Sequence, residues 1–255
     1  MLDDFTPIIH TLPGRTIKVW AVADVHIGAK EADIDGFQRF LSKIAQDDDS
    51  YLVIVGDLLN NGLKDSLTNV YEETMPPHMQ VEKAVELLTP LAGKILGCVG
   101  GNHELRTKRA VDIDIMAQVM TLLGKPELYR PNMAFIRVRL KNGKKSTSDS
   151  YSLLLVHGKT ENKKRRLAYA VEGVDAIISG HTHNGIVEKP ARIVFNESNK
   201  VSIKPLVSLT ACSWLSYGGY ATRNLMLPSA TSSPQCLVLE YVNSNDIRGN
   251  IRVAW

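Results

Sequence analysis

The chain has 255 residues, 44% of them hydrophobic and 22% charged, with a formal net charge of +3 at pH 7. That length and balance suit one large water-soluble domain with a sizeable core, and so mild a charge does not by itself indicate a nucleic-acid partner. No run reaches the roughly 18 apolar residues of a membrane span, and the start, MLDDFTPIIHTLPGR, lacks the basic-then-apolar layout of a secretory signal. Cys98, Cys212 and Cys236 are scattered, odd in number and without zinc-type spacing, which fits reduced thiols in a cytoplasmic setting.

The first predicted strand is TIKVWAVA, from Thr16, which stops at Asp24. A helix follows, with Phe37, Phe40, Leu41 and Ile44 on one stripe. YLVIV stops at Gly56-Asp57, and a second stripe of Val81, Val85 and Leu88 runs up to Pro90. KILGCV stops at GGNHE; a helix with Ile115, Val119 and Leu122 on one face then ends at Gly124 and Pro126. AFIRVRLKNGKKSTSDSYSLLLV reads as two strands around a polar turn, the second stopping at His157-Gly158. KTENKKRRLAYAVEG reads as a helix with an exposed basic face, and VDAIIS stops at GHTH. Near-continuous apolar strands indicate burial on both faces, and their alternation with helices indicates an α/β domain. Beyond Gly185 the pattern is mostly β, as in KVSIKPLVSL and QCLVLEYV, with a loop-like SYGGYATRNLMLPSATSSP between. With no repeat or linker, residues 1–255 read as one domain, with a ligand-bearing part at 16–185 and a β-rich part at 186–255.

Each of the five apolar strands ends in metal-ligating residue types: Asp24 and His26; Asp57 and Asn60; Asn102, His103 and Glu104; His157; His181 and His183. Five of the seven histidines fall at these points, and His10 and His78 do not. Taken singly, each block has a plainer use: GD as a turn, NHE as a helix start with Asn102 as cap. Together they match the convergence of strand ends at which ligands bind in open α/β sheets. Two aspartates, an asparagine and four histidines offer oxygen and nitrogen donors without thiolate, which suits manganese, iron, zinc or nickel and disfavours calcium. Seven donors exceed the ligand set of one catalytic ion, so two divalent ions sharing a carboxylate account for the count.

The order Asp-x-His, Gly-Asp, Gly-Asn-His-Glu, His-Gly, Gly-His-x-His, from Asp24 to His183, resembles the calcineurin-like metallophosphoesterase superfamily. The resemblance implies a four-layer α/β/β/α sandwich of two mixed β-sheets flanked by helices, with residues 186–255 completing the second sheet. It implies that Asp24, His26 and His183 hold one ion, that Asn102, His157 and His181 hold the other, and that Asp57 bridges them, with manganese the first choice of metal. Asn102 and Asp57 would thereby serve catalysis together with His103, which resembles the family's non-ligand histidine and would stabilise the transition state or protonate the leaving oxygen. Some members carry a carboxylate three residues after the bridging aspartate; Asn60 stands there, and an amide orients an imidazole without supplying charge.

The resemblance implies a phosphoester substrate. DVHIG resembles the double-strand-break repair nucleases, whereas GNHE resembles the serine/threonine protein phosphatases. Basic runs at Arg106–Ala110 and Lys159–Arg166 follow ligand blocks directly, and a third lies at Lys141–Lys145. Such charge near the site favours an extended polyanion, so the leading expectation is a phosphodiesterase using a metal-bridging hydroxide, with a DNA or RNA nuclease as one form of it. A phosphomonoesterase is the alternative, and a non-catalytic scaffold is disfavoured by the complete ligand set. Trp214, Tyr217 and Tyr220 would either stack on bases or fill the core. No membrane partner is expected, and the sequence leaves the oligomeric state open.

Overall fold

The computed structural model describes residues 4–64, 66, 70–141, 148–195, 199–218, 222, 233–241 and 251–255. Two six-stranded sheets carry the chain. The first is ordered β14 (Arg252–Ala254), β13 (Cys236–Glu240), β2 (Thr16–Val22), β3 (Ser50–Val55), β4 (Ile95–Val99), β5 (Tyr129–Arg130). The second is ordered β1 (Ile8–Pro13), β6 (Met133–Lys141), β7 (Ser148–Val156), β8 (Ala176–Ser179), β12 (Val207–Thr210), β9 (Val187–Glu188). β10 (Ala191–Phe195) and β11 (Val201–Pro205) form a separate antiparallel hairpin.

Period-two alternation builds the layers. On β7, Leu153 and Leu155 enter the main core together with Val19, Val53 and Cys98 of the first sheet. Leu154 and Val156 point the other way, into a smaller cluster with Ile177 and with Ala168 of α5 (Glu161–Ala170). Helix α5 therefore covers the outer face of the second sheet. At the first sheet, α1 (Ile34–Gln46) packs on β3, and α2 (Pro77–Leu88) lies between α1 and α4 (Ile115–Leu122). This is the expected four-layer α/β/β/α arrangement.

Local signals explain the helices. The Asp33 side chain accepts from the Gly36 amide at 2.8 Å and starts α1, whose Phe37, Phe40, Leu41 and Ile44 are all buried. Pro77 opens α2. In α4 the buried stripe is Ile115, Met116, Val119 and Met120, whereas Leu122 is 62% exposed. The stripe is centred between Met116 and Val119, so the line through Ile115 and Leu122 is only its rim.

Two features depart from the sequence reading. The segment 186–255 does not complete the second sheet alone: β9 and β12 join it, but β13 and β14 join the first. The run Cys236–Leu239 is fully apolar and buried, and it pairs antiparallel with β2, Leu237 opposite Val19, where both of its faces are covered. Strand β1 was not anticipated. It is an edge strand parallel to β6 with only Ile8 fully buried, so it carries little apolar signal.

Candidate metal centre

Strands β2, β3 and β4 run parallel, as do β7 and β8, so their carboxyl ends deliver the five polar blocks to common edges. The turns there are unusual. Asp24, His26, Asp57, His181 and His183 all adopt left-handed backbone, with φ of 52°, 53°, 49°, 75° and 60°. Asp, Asn and His tolerate this region best among side-chain-bearing residues, at a cost of about 1–3 kcal/mol each. The turns hold one another: His26 N–H donates to the Asp57 carbonyl at 3.1 Å and Ile27 N–H to the Leu58 carbonyl at 2.9 Å. Two glycines provide clearance. A Cβ at Gly101 would lie 2.1 Å from Asp57 Oδ1, and one at Gly180 would lie 2.8 Å from Asp24 Oδ2.

Each aspartate is tied down by one oxygen and offers the other. Asp57 Oδ1 accepts from the His103 amide at 2.9 Å, leaving Oδ2 at 3.2 Å from His157 Nε2 and 3.9 Å from His103 Nε2. Asp24 Oδ2 accepts from the His181 amide at 2.8 Å, leaving Oδ1 at 3.2 Å from His183 Nε2 and 3.9 Å from His26 Nε2. His157 Nδ1–H donates to the Val55 carbonyl at 2.7 Å, so its Nε2 is the free face, 3.0 Å from Asn102 Oδ1. All seven predicted ligands are thus brought to one place. Three groups lie within ligand-sharing distance: Asp24, His26 and His183; His26, Asp57 and His103; Asp57, His157 and His181. Asp57 belongs to the last two.

Burial sets the electrostatics. Burial raises the Asp57 carboxyl, but His157, His103 and His26 outweigh it and hold the group below its ordinary range. Burial likewise raises Asp24, and the hydrogen bond and charge of His183 bring it down. His26 is pushed down to about 3 by burial and by neighbouring His103. Burial lowers His157, yet Asp57 and Asp24 lift it to about 10.

Three supporting side chains were not assigned these roles from sequence. Glu104, 3% exposed, accepts from three backbone amides: Asp57 at 3.0 Å, Leu59 at 2.9 Å and Gly101 at 2.8 Å. It opens α3 (Glu104–Val111), and Asn102 is not its cap. Burial and the Asp57 charge push Glu104 up to about 7 against the pull of these amides. Lys164 belongs to the basic helix but is only 5% exposed. Its ammonium donates to the Gly180 carbonyl at 2.8 Å, Thr182 Oγ1 at 3.1 Å and Thr210 Oγ1 at 3.4 Å, beneath the GHTH turn. The signal was present: Lys164 shares the helix face of Leu167 and Ala168. The third, Arg106, sits against His103, its Nη2 2.9 Å from Nε2.

Other expectations fared differently. The Asn60 side chain does not orient His103; it donates to Glu73 Oε1 at 2.6 Å, and the Asn60 backbone carbonyl faces His103 Nδ1 at 2.7 Å. Trp214 is 3% exposed and packs 5.1 Å from both Phe37 and Phe40, so it fills the core. Tyr217 is exposed, and Tyr220 lies outside the described residues, as does most of SYGGYATRNLMLPSATSSP. Lys141 ends β6 at the edge opposite His157, because β6 and β7 are antiparallel and Met133 pairs with Val156; the rest of Lys141–Lys145 lies outside the described residues. Among the described residues, no helix is long and apolar enough to cross a membrane.

A family model described as calcineurin-like phosphoesterase matches residues 17–185. The chain belongs to the calcineurin-like phosphoesterase family. The chain is 26% identical over 185 residues to the uncharacterised metallophosphoesterase Cj0846 of Campylobacter jejuni; the match covers 67% of this chain and 45% of that one, so it spans less than half of the relative. Among solved structures, it is similar to the calcineurin-like phosphoesterase YfkN of Bacillus subtilis (13% identity, TM-score 0.42, covering 90% of this chain and 86% of that one). It is also similar to a metallophosphoesterase of Sphaerobacter thermophilus (16%, TM-score 0.41, 88% and 83%).

The residues fit divalent metal. Both ring nitrogens of His26 are buried with no hydrogen-bond partner. Orphaned donors and acceptors of this kind cost about 1–3 kcal/mol each. Imidazole nitrogen and carboxylate oxygen are the donors that a first-row divalent ion takes.

Proposed function

We propose that the phosphoesterase is a two-ion enzyme whose preferred substrates are phosphodiesters, with nucleic acid strands the first class to test, and that residues 1–255 act as one domain. The position of Asp57 carries the two-ion reading: its Oδ2 faces His157 at 3.2 Å and His103 at 3.9 Å, and it shares one ligand group with His26 and another with His157 and His181. Asp24, His26 and His183 would hold one ion, Asn102, His157 and His181 the other, with Asp57 between. The mixed nitrogen and oxygen set supports manganese first, with iron, zinc or nickel as competitors. Bound there, the ions supply a nucleophilic water at neutral pH and offset charge on phosphorus. Asn102 would fix a ligand oxygen beside His157, and His103, next to Asp57, would orient the group that meets the phosphoryl oxygens.

The diester preference draws on exposed Lys163, Arg165 and Arg166 on α5, which begins four residues after His157, and on exposed Arg109 after the Asn102 block. Cationic side chains flanking a site favour a polyanion. The buried free thiols Cys98 and Cys236 support a cytoplasmic location.

The test is hydrolysis of bis(p-nitrophenyl) phosphate against p-nitrophenyl phosphate by metal-stripped protein with Mn²⁺ restored, and Asp57→Asn as control. The expected result is Mn²⁺-dependent cleavage favouring the diester, followed by cleavage of single- or double-stranded DNA. Preference for the monoester would replace the diester reading with a phosphatase.

A further inference from the structure

We propose that Arg106, rather than His103, is the side chain with which this enzyme grips the phosphoryl group. The inference deepens the phosphoesterase reading above and rests on it.

Hydrogen-bond chemistry carries the first step. A guanidinium has donors and no acceptor. Arg106 Nη2 lies 2.9 Å from His103 Nε2, so Nε2 must accept. The ring proton is then on Nδ1, which donates to the Asn60 carbonyl at 2.7 Å. In this arrangement Nε2, the atom facing Asp57 Oδ2 at 3.9 Å, is taken up as an acceptor, and the N–H donors at that point are those of the guanidinium. The positive charge at that point of the site belongs to Arg106.

The surroundings fit this exchange of roles. Arg106 Nη1 donates to the same Asn60 carbonyl at 3.0 Å, so one backbone oxygen positions both the imidazole and the guanidinium. No carboxylate stands at the third residue after Asp57; Asn60 does, and its side chain reaches Glu73 Oε1 at 2.6 Å. The Glu73 carboxylate is near enough for the Arg106 charge to act on it. Glu73 thus backs the arginine, while the carboxylate that faces His103 is the candidate metal ligand Asp57. A guanidinium stays charged at every working pH and offers forked N–H donors that match phosphoryl oxygens. On substrate entry, Nη1 keeps the Asn60 carbonyl while Nη2 turns from His103 to a non-bridging oxygen.

The experiment compares wild-type, Arg106→Gln and Arg106→Lys, all loaded with Mn²⁺. It measures inhibition by inorganic phosphate, KM and kcat for the p-nitrophenyl esters, bound manganese and Tm. A hydrogen bond to a charged group is worth about 1.5–3 kcal/mol, roughly 10- to 150-fold. Arg106→Gln should weaken phosphate affinity by roughly that factor and lower kcat/KM, with manganese content and Tm kept. Arg106→Lys should recover part of the loss, because the charge returns without the fork. Wild-type phosphate affinity in Arg106→Gln, in an enzyme whose wild type hydrolyses esters, would overturn the proposal alone. Loss of manganese along with phosphate affinity would also overturn it, by making Arg106 structural. A wild type that neither binds phosphate nor cleaves either ester would bring down the phosphoesterase reading as well.

Discussion

The turns of the two sheets reach the same centre by opposite electrostatics. Those of the first sheet carry Asp24, His26 and Asp57, which are 0%, 3% and 2% exposed, and those beyond β3 and β4 turn backbone N–H groups inward. A buried anion, Glu104, collects three of them. The GHTH turn of the second sheet is more open and turns a carbonyl and a hydroxyl inward. A buried cation, Lys164, collects those together with Thr210. The sign of each buried charge follows from the polarity of the backbone it serves. An N–H or C=O left without a partner in such a place is costly, and a charged partner makes the stronger hydrogen bond. The charges under the site are thus structural consequences of the strained turns that aim the ligands.

The largest effect should come from removing the anion. Glu104→Ala leaves three buried amides unpaired, a loss of about 3 kcal/mol or more, and should lower Tm by roughly 6–12 °C together with the affinity for Mn²⁺. Thermal unfolding with and without metal checks this. A stable Glu104→Ala protein with native metal affinity would remove the first half of the comparison.

Removing the cation should cost less, because the turn it serves is partly open to water. Lys164→Met should weaken Mn²⁺ binding by about tenfold, in line with the loss of one charged hydrogen bond. If the ammonium acted only by repelling the ions, the same substitution would tighten binding, and a calorimetric titration separates the two signs.

A smaller effect concerns protons. Without metal, burial would lower His157, but Asp57 and Asp24 hold it up at about 10. A metal ligand must be deprotonated, so below that pH ion binding has to displace the proton. Affinity should strengthen as pH rises, with proton release measurable in buffers of different ionisation enthalpy. Binding that is independent of pH between about 6 and 9 would contradict the assigned ligand set.

The smallest effect is expected at the surface of α5. Arg165 pairs with Glu188 at 2.8 Å, but its side chain is 59% exposed. Arg165→Gln should change stability by less than about 1 kcal/mol, whereas Lys164→Met, one residue away, should alter metal binding. Equal effects at the two positions would show that helix charge in general, rather than the buried ammonium, matters.

Most of the fold, and which residues converge at the candidate site, could be read from sequence because strand ends announce themselves. A continuous apolar run such as YLVIV stops where burial stops, and the polar residue that follows is on the edge. What could not be read was which backbone atom a side chain serves. Glu104 looked like a first-turn helix residue, and its three amide partners come from residues up to 47 positions away. Lys164 was hidden inside a basic run whose other members are exposed. Asn60 stood at the right spacing, but its side chain turns to Glu73 and its carbonyl does the orienting. Strand β13 was legible as a strand and not as a neighbour of β2, because pairing across more than 200 residues leaves no local pattern.

The central claim is that Asp57 joins two ions in one centre. Electron paramagnetic resonance of metal-free protein titrated with Mn²⁺ tests it most directly. The account predicts uptake of two ions per chain with the spectrum of a coupled pair, and loss of that coupling in Asp57→Asn. A spectrum of isolated ions in the wild type, or a coupled signal unchanged by Asp57→Asn, would contradict it.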